Sequence, residues 1–412
     1  GQHEQHQHQH ETPKKEAQHM SGVTMMPASL GKYPMSQEGS GTAWNPAASP
    51  VYMLMLPKHG RYDFNLMGLA TLNYTKQGGP RGESQLFSNS MVMGMAQRET
   101  GGGTLAFRAM LSLDPLFNGK KGYPLLFQTG ETADGQPMKD RQHPHDLFSE
   151  LAVSFARSLS ESASGFVYAG LVGEPALGDV MYLHRPSTGD NVEAPITHHW
   201  FDSTHISYGV LTGGLIFNDK LKLDASLFNG KEPDENRYDI DPIRLDSASA
   251  RLEYNPTSEL SFSGAYGFLK EPERLEPGVG VHRLTAAIQH TKQLGPGRSL
   301  STGFFFGRNE NKGKGSNAFN LEGAYTFGDS QVFARAERVD KDELVGVPVG
   351  TYRVDKLTVG ASHNLMKRDG LEYALAGTLS FYSYPQSLDP FYGKNPVSLG
   401  IFLRVRPGRM SH

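Results

Sequence analysis

From residue 61 onward, apolar and polar residues alternate with a period of two, in segments that are mostly ten to fourteen residues long. Such a chain folds into strands with one dry face and one wet face. In residues 61–75, Tyr62, Phe64, Leu66, Gly68, Ala70, Leu72 and Tyr74 share a greasy face, while Asp63, Asn65, Met67, Leu69, Thr71, Asn73 and Thr75 share the other. Leu105, Phe107, Ala109, Leu111 and Leu113 repeat the pattern against Thr104, Ala106, Arg108, Met110 and Ser112. Charges at strand centres require an aqueous side.

About sixteen strands are predicted on this basis. They lie near 61–75, 85–98, 102–113, 146–158, 163–172, 203–218, 219–229 and 244–254, then 258–269, 281–292, 299–309, 317–328, 330–340, 351–364, 370–383 and 396–406. The usual globular strand is shorter, about five to six residues, whereas a tilted strand crossing a bilayer needs about nine to eleven. The links carry a second signal. ETGGG, SES, ND, NPT, LGPGR, GD and KRDG follow alternate strands and are tight-turn sequences. The intervening links are predicted to be long, at 76–84, 114–145, 173–202, 230–243, 270–280, 310–316, 341–350 and 384–395.

A soluble sandwich has no reason to sort its links this way, but a membrane barrel with short periplasmic turns and longer external loops does. Lipid offers no partner for backbone amides, so a closed sheet is the one non-helical way to satisfy them. Both termini then fall on the periplasmic side. Across residues 51–406 the pattern resembles Gram-negative outer-membrane β-barrel proteins of the porin type. The resemblance implies an all-β fold: a transmembrane, antiparallel, up-and-down barrel of about sixteen strands in the outer membrane, in contact with lipid and lipopolysaccharide. Its final strand departs from the common aromatic ending, since Phe402 is followed by LRVRPGRMSH.

Composition agrees and excludes other classes. Of 412 residues 47 are Gly, the hydrophobic set reaches only 37%, and aromatics hold at 10%, so the chain is ordered without a large dry core. The longest apolar run, near 166–172, is far short of the roughly 20 residues of a membrane helix. A net charge of -3 without a basic block disfavours nucleic acid. With no cysteine there is no thiolate site, Fe–S cluster or c-type haem attachment, and neither haem nor a nucleotide is expected as cofactor. The chain opens GQHEQ, which fits a mature secreted form whose signal peptide has been removed.

Residues 1–50 lack any period and are read as a separate, mostly irregular segment, periplasmic or plug-like, ahead of a barrel domain at 51–412. The segment carries His3, His6, His8, His10 and His19, then Met20, Met25, Met26 and Met35. One reading is loose metal capture, with His6, His8 and His10 as ligands; the other is a solvated tail. This mixed His/Met leader resembles the leaders of outer-membrane copper-resistance proteins of the B type, and that resemblance implies copper handling. Eleven of 15 Met precede residue 111. Met91, Met93 and Met95 share one face of the second strand, and strand parity turns Met67 and Met110 toward the lumen beside it. Thioether sulfur suits Cu(I) or Ag(I) and imidazole suits Cu(II) or Zn(II), so the three form a candidate ladder. Alternatively they face lipid or fill gaps, as Met often does.

Six histidines gather in the body: His143 and His145 in DRQHPHDLFSE, His184 in MYLHRP, and His198, His199 and His205 in THHWFDSTH. They fall in the two longest loops or at the adjoining strand ends, with Asp140, Asp146, Glu150, Glu174 and Asp202 nearby. Spacing of i,i+2 in extended chain puts His143 and His145 on one side. These six form a metal site, or else a hydrogen-bonded network with Arg141, Arg185 and the carboxylates that pins the loops. Asp202, Ser203 and His205 are close in sequence, but strand alternation would separate them and there is no GxSxG, so no enzyme is expected. Arg335, Arg338, Arg404 and Arg406 sit at positions read as facing the lumen, where basic side chains tune selectivity.

The function expected is an outer-membrane channel or binding protein for metal ions, copper foremost, in resistance or transport. Two alternatives stand beside it: a general solute porin, and a barrel scaffold for a periplasmic or envelope partner such as an electron-transfer protein.

Overall fold

The computed structural model describes residues 27–410, and their dominant feature is one antiparallel sheet closed on itself. Sixteen strand positions make up the wall. The first eight are β1 (Tyr62–Lys76), β2 (Ser84–Phe87 continued by Met91–Thr100), β3 (Gly103–Ser112), β4 (Phe148–Ser158), β5 (Ala163–Gly173), β6 (Ser207–Phe217), β7 (Leu221–Phe228) and β8 (Ser247–Tyr254). The rest are β9 (Leu260–Leu269), β10 (Val281–Gly295), β11 (Arg298–Asn311), β12 (Lys314–Phe327), β13 (Ser330–Lys341), β14 (Tyr352–Arg368), β15 (Leu371–Ser383) and β16 (Val397–Pro407). Each pairs with its sequence neighbours, and β16 closes the barrel on β1 through Ala70–Lys76.

The last position is composite. Beyond its contact with β16, β1 pairs instead with the short N-terminal strand Leu54–His59, through Leu54↔Leu66 and Leu56↔Phe64. The short strand Leu54–His59 and the last strand thus share one column of the wall. A single second strand over 85–98 is corrected to two pieces, because Ser88, Asn89 and Ser90 turn inward and are buried there. At the same level Gly68 has φ +138, and a Cβ on it would lie 2.3 Å from the Met91 carbonyl oxygen, so only glycine lets β1 pass this offset.

The two faces sort as a lipid-embedded wall requires. On β7, Lys222, Asp224 and Ser226 are buried inside, while Leu223 and Leu227 are 46% and 48% exposed outside. Elsewhere such an exposed apolar belt would be an association surface; around a closed barrel it is the face for hydrocarbon. Links are tight at the rim holding Gly101–Gly102, Asn218–Asp219 and Asp369–Gly370, which faces the periplasm in outer-membrane barrels. The expected long link at 310–316 is corrected: Lys312 (φ 46°) and Gly313 (φ 73°) close a two-residue hairpin, because β11 and β12 run on to Asn311 and Lys314.

Besides loop 113–147 at the loop-side half, two segments fill the lumen. Residues 27–53 form a strap against the β3–β10 side: Thr42 Oγ1 donates to Asp224, the Trp44 amide to Glu253, and Arg108 to the Gly41 carbonyl at 2.7 Å. Lys222 lies over the Trp44 ring at 4.6 Å. The loop 174–206 crosses to the β11–β16 side, where Arg185 donates to Glu322 at 2.7 Å, Thr197 to Glu337 at 2.8 Å and Arg404 to Asp190 at 2.6 Å. Buried pairs of this kind are costly to break singly, about 3–5 kcal/mol, because the partner is left charged and unsolvated.

Candidate functional site

Loops 113–147 and 174–206 meet inside the loop-side half of the barrel and bring five imidazoles together. Ring centroids are 4.4 Å apart for His198–His199, 5.0 Å for His145–His205, 5.9 Å for His143–His145 and 6.1 Å for His143–His198. One nitrogen each of His143, His198 and His199 lies within 4.8 Å of the others, a spacing that can converge on one ion.

Local structure aims the rings. Pro144 separates His143 from His145 and keeps the segment extended, whereas His198–Trp200 and Ser203–His205 are short 3-10 turns. His205 was expected on a strand from 203; β6 begins only at Ser207, and the turn directs this ring back into the cluster. Gly130 (φ +102) lets backbone pass close by, since a Cβ there would sit 2.9 Å from His199 Nδ1.

The hydrogen bonding is directional. His145 Nδ1 is 2.6 Å from Asp114 Oδ2, His205 Nδ1 is 2.6 Å from the Asp202 carbonyl oxygen, and His143 Nδ1 is 3.0 Å from the Pro144 carbonyl oxygen. His198 Nδ1 faces Asp202 Oδ1 at 3.1 Å. On His143, His145 and His205 the oxygen acceptor at Nδ1 places the proton there and leaves Nε2 as a lone-pair donor, the arrangement common to metal-ligating histidines, whereas neither nitrogen of His198 makes a hydrogen bond. The Nε2 atoms of His145, His198, His199 and His205 are buried without a hydrogen-bond partner. Burial, followed by neighbouring positive charge, holds His143 and His199 well below the ordinary imidazole range, and burial with His145 nearby takes His205 down to about 3. These rings are neutral at pH 7, as ligation requires.

Carboxylates rim the cluster toward the loops. Glu131 Oε1 is 3.6 Å from His143 Nε2 and Glu343 Oε1 is 4.0 Å from His199 Nδ1. Burial pushes Glu131 up to about 7 and raises Glu343. Outside them, a cavity of about 260 Å³ is lined by Glu131, Glu232, Asp234 and Glu235.

His184 stands apart from the five. It borders a void of about 10 Å³ with Met93, Met110, Met181 and His205, and a chamber of about 170 Å³ with Met91, Met93 and Met95. Burial takes it down to about 4, and its Nε2 has no partner. Met91, Met93 and Met95 are all buried inside the barrel. His6, His8 and His10 lie outside the described residues.

Several expected neighbours are elsewhere. Arg141 engages Glu83 and Gln85, Asp140 serves Arg81 and Tyr392, and Asp146 serves Arg237 and Tyr208, so the network joining Arg141 to the histidines does not form. Arg338 is corrected from lumen to outer wall, where it pairs with Asp355 at 2.7 Å; it is an odd number of residues from the buried Arg335, and period two puts them on opposite faces. Ser203 Oγ accepts from Arg283, while the Asp202 carboxylate faces His198 and Arg185. Asp202, Ser203 and His205 therefore build no nucleophile relay. Sequence reasoning missed Asp114, Glu131 and Glu343. Asp114 opens a short helix before Pro115 and could have been weighed; Glu343 arrives from the link before β14 and carries no local signal.

No protein-family model and no curated protein matches this sequence. Among solved structures it is similar to a loop L8 deletion mutant of OmpT, an outer membrane protein of Vibrio cholerae, with 7% identity and TM-score 0.51 over 84% of this chain and 100% of that one. It is also similar to an anion-selective porin from Comamonas acidovorans (13% identity, TM-score 0.48, 84% and 99% covered). A third is the outer membrane channel DcaP of Acinetobacter baumannii (9% identity, TM-score 0.48, 85% and 99% covered). At these identities the likeness is one of fold. The chain is a closed sixteen-stranded antiparallel β-barrel, a fold it shares with an outer membrane protein.

Proposed function

We propose that this barrel handles transition-metal ions in the outer membrane, with copper the ion whose ligand preferences match the donors present, and that its role is transport or resistance rather than catalysis. The observation that carries this reading is the buried imidazole cluster, in which one nitrogen each of His143, His198 and His199 lies within 4.8 Å of the others, while His145 and His205 have Nδ1 held by an oxygen and Nε2 without a partner. An unpaired buried polar atom costs about 1–3 kcal/mol. Four Nε2 atoms in the cluster are in that state, and an ion on the converging group would engage the rings of two of them, His198 and His199. The carboxyl groups of Glu131 and Glu343 beside the cluster add oxygen donors on its loop side, and the strap and loop 174–206 occupy space through which a general solute porin would pass sugars.

The test is metal retention. The purified full-length barrel, stripped with chelator and titrated with Cu2+ or Zn2+, is expected to hold a stoichiometric ion by mass spectrometry after desalting. A triple His143→Ala, His198→Ala, His199→Ala variant should lose it. No retained ion in the unaltered barrel, together with rapid sugar-driven liposome swelling, would replace this reading with the general porin. Co-purification of a haem protein from envelope extracts would favour the scaffold role.

A further inference from the structure

A second group of donors lies on the tight-turn side of the imidazoles. Met67, Met93 and Met110 sit in one cross-strand row, because β2 pairs Met93 with Met67 on one side and with Met110 on the other. Met91 and Met95 flank Met93 at i±2 and point the same way. The strap adds Met35 and Met53, so six thioethers, those of Met35, Met53, Met67, Met91, Met93 and Met95, surround the 170 Å³ chamber. Met often fills gaps in a core, but here six Met side chains border open volume large enough for several waters.

His184 makes the chamber more than an apolar void. Its ring is on the lining, and its Nε2 is buried with no hydrogen-bond partner. Three guanidinium groups also reach the lining, and each is neutralised. Arg108 lies 3.6 Å from Glu150 and 3.8 Å from Glu38, Arg185 is held by Glu322, and Arg406 lies 3.1 Å from Asp190 and 3.3 Å from Glu372. The donors left over are the six thioether sulfurs, one imidazole nitrogen and two lining oxygens without hydrogen-bond partners, Glu38 Oε2 and Asn45 Oδ1. The one lining carboxylate already faces Arg108 at 3.8 Å, so a divalent ion would find little charge compensation, whereas the predominance of sulfur matches a soft monovalent ion.

We propose that this chamber is a distinct binding site for a soft monovalent cation, Cu+ or Ag+, held by the sulfurs of the β2 ladder and the strap with His184 Nε2 as nitrogen donor. It rests on the metal-handling reading of the barrel but uses different residues. A small separate void is bordered by His184 and Met93 of the chamber and by His205 of the imidazole cluster, so the two donor groups are neighbours.

Silver tests it without redox chemistry. The full-length barrel in chloride-free detergent buffer is loaded with silver nitrate and desalted. Bound silver is then counted by elemental mass spectrometry, and its ligands are read by X-ray absorption. A Met91→Leu, Met93→Leu, Met95→Leu variant conserves side-chain volume and should fold, as checked by heat-modifiable gel mobility. The unaltered barrel is expected to hold one more silver than this variant, with a sulfur shell, and the His143/His198/His199 variant should keep that silver. Equal silver in the unaltered and leucine barrels, or a shell of nitrogen and oxygen alone, overturns the chamber site. If the triple variant does not fold, Met93→Leu and His184→Leu read the same difference singly. Zinc lost in the imidazole variant with silver unchanged in the leucine variant would sink the chamber alone. Silver lost in the leucine variant from a barrel that never retains zinc or Cu2+ would sink the imidazole reading alone.

Discussion

At the scale of single residues, the imidazole cluster is set by what each ring's second nitrogen touches. Asp114 on His145, the Asp202 carbonyl on His205 and the Pro144 carbonyl on His143 fix which nitrogen is free, so the donor set exists before any ion arrives. A pH dependence follows. The folded-state values of His143, His198, His199 and His205 all lie below the ordinary 6.5, so closed loops go with neutral rings. Loop closure is undiminished above about pH 6.5. It weakens as pH falls below that, because opened loops take up protons that closed ones refuse, at up to about 1.4 kcal/mol per pH unit for each ring. Amide exchange over 196–206 in the metal-free barrel, corrected for intrinsic rates, should therefore quicken between about pH 6.5 and 4.5. Protection that stays flat over this range would mean that the rings do not couple to closure.

At the scale of elements, the strap and the loop 174–206 occupy the lumen through which a barrel of this kind would conduct. Each is held to wall strands by charged side chains that alternation had already turned inward: Asp224, Arg251 and Glu253 for the strap, Glu322, Glu337 and Arg404 for the loop. Removal of residues 27–50 takes away the strap and leaves the wall's ladder intact. The deleted barrel is expected to show stepwise single-channel conductance in planar bilayers where the intact one is closed or nearly so. Indistinguishable traces would show that loop 174–206 blocks the lumen by itself. The strand elements were legible in advance because period two needs no distant information. The two-residue hairpin at Lys312–Gly313 was not, although its Gly at the second turn position resembles Asp369–Gly370, where tightness was read correctly. The difference lay in the neighbours: polar, charged strand ends at 310–316 resemble a loop until their ladder is seen.

At the scale of the whole molecule, the lipid-facing belt is an energetic requirement. Leu211, 47% exposed near the middle of β6, faces hydrocarbon, and Leu211→Arg should destabilise the barrel by about 2–4 kcal/mol, read as a lower urea midpoint in refolding into lipid vesicles. An unchanged midpoint would place this residue away from lipid. The barrel architecture and the inward parity of Met67 and Met110 were written in the sequence, because closure in lipid makes every wall residue choose between two faces. That Met91, Met93 and Met95 share the inner face, and that Met67, Met93 and Met110 form one row, needed the strand register. Only the tertiary structure decided where the long loops go. Nothing local in THHWFDSTH or DRQHPHDLFSE says that both enter one lumen, that Asp114 and Glu343 arrive beside them, or that His184 parts from its neighbours to join the sulfurs. Alternation is a property of adjacent residues and survives in the one-dimensional chain, whereas convergence of segments tens to hundreds of residues apart exists only once the cylinder has closed around them.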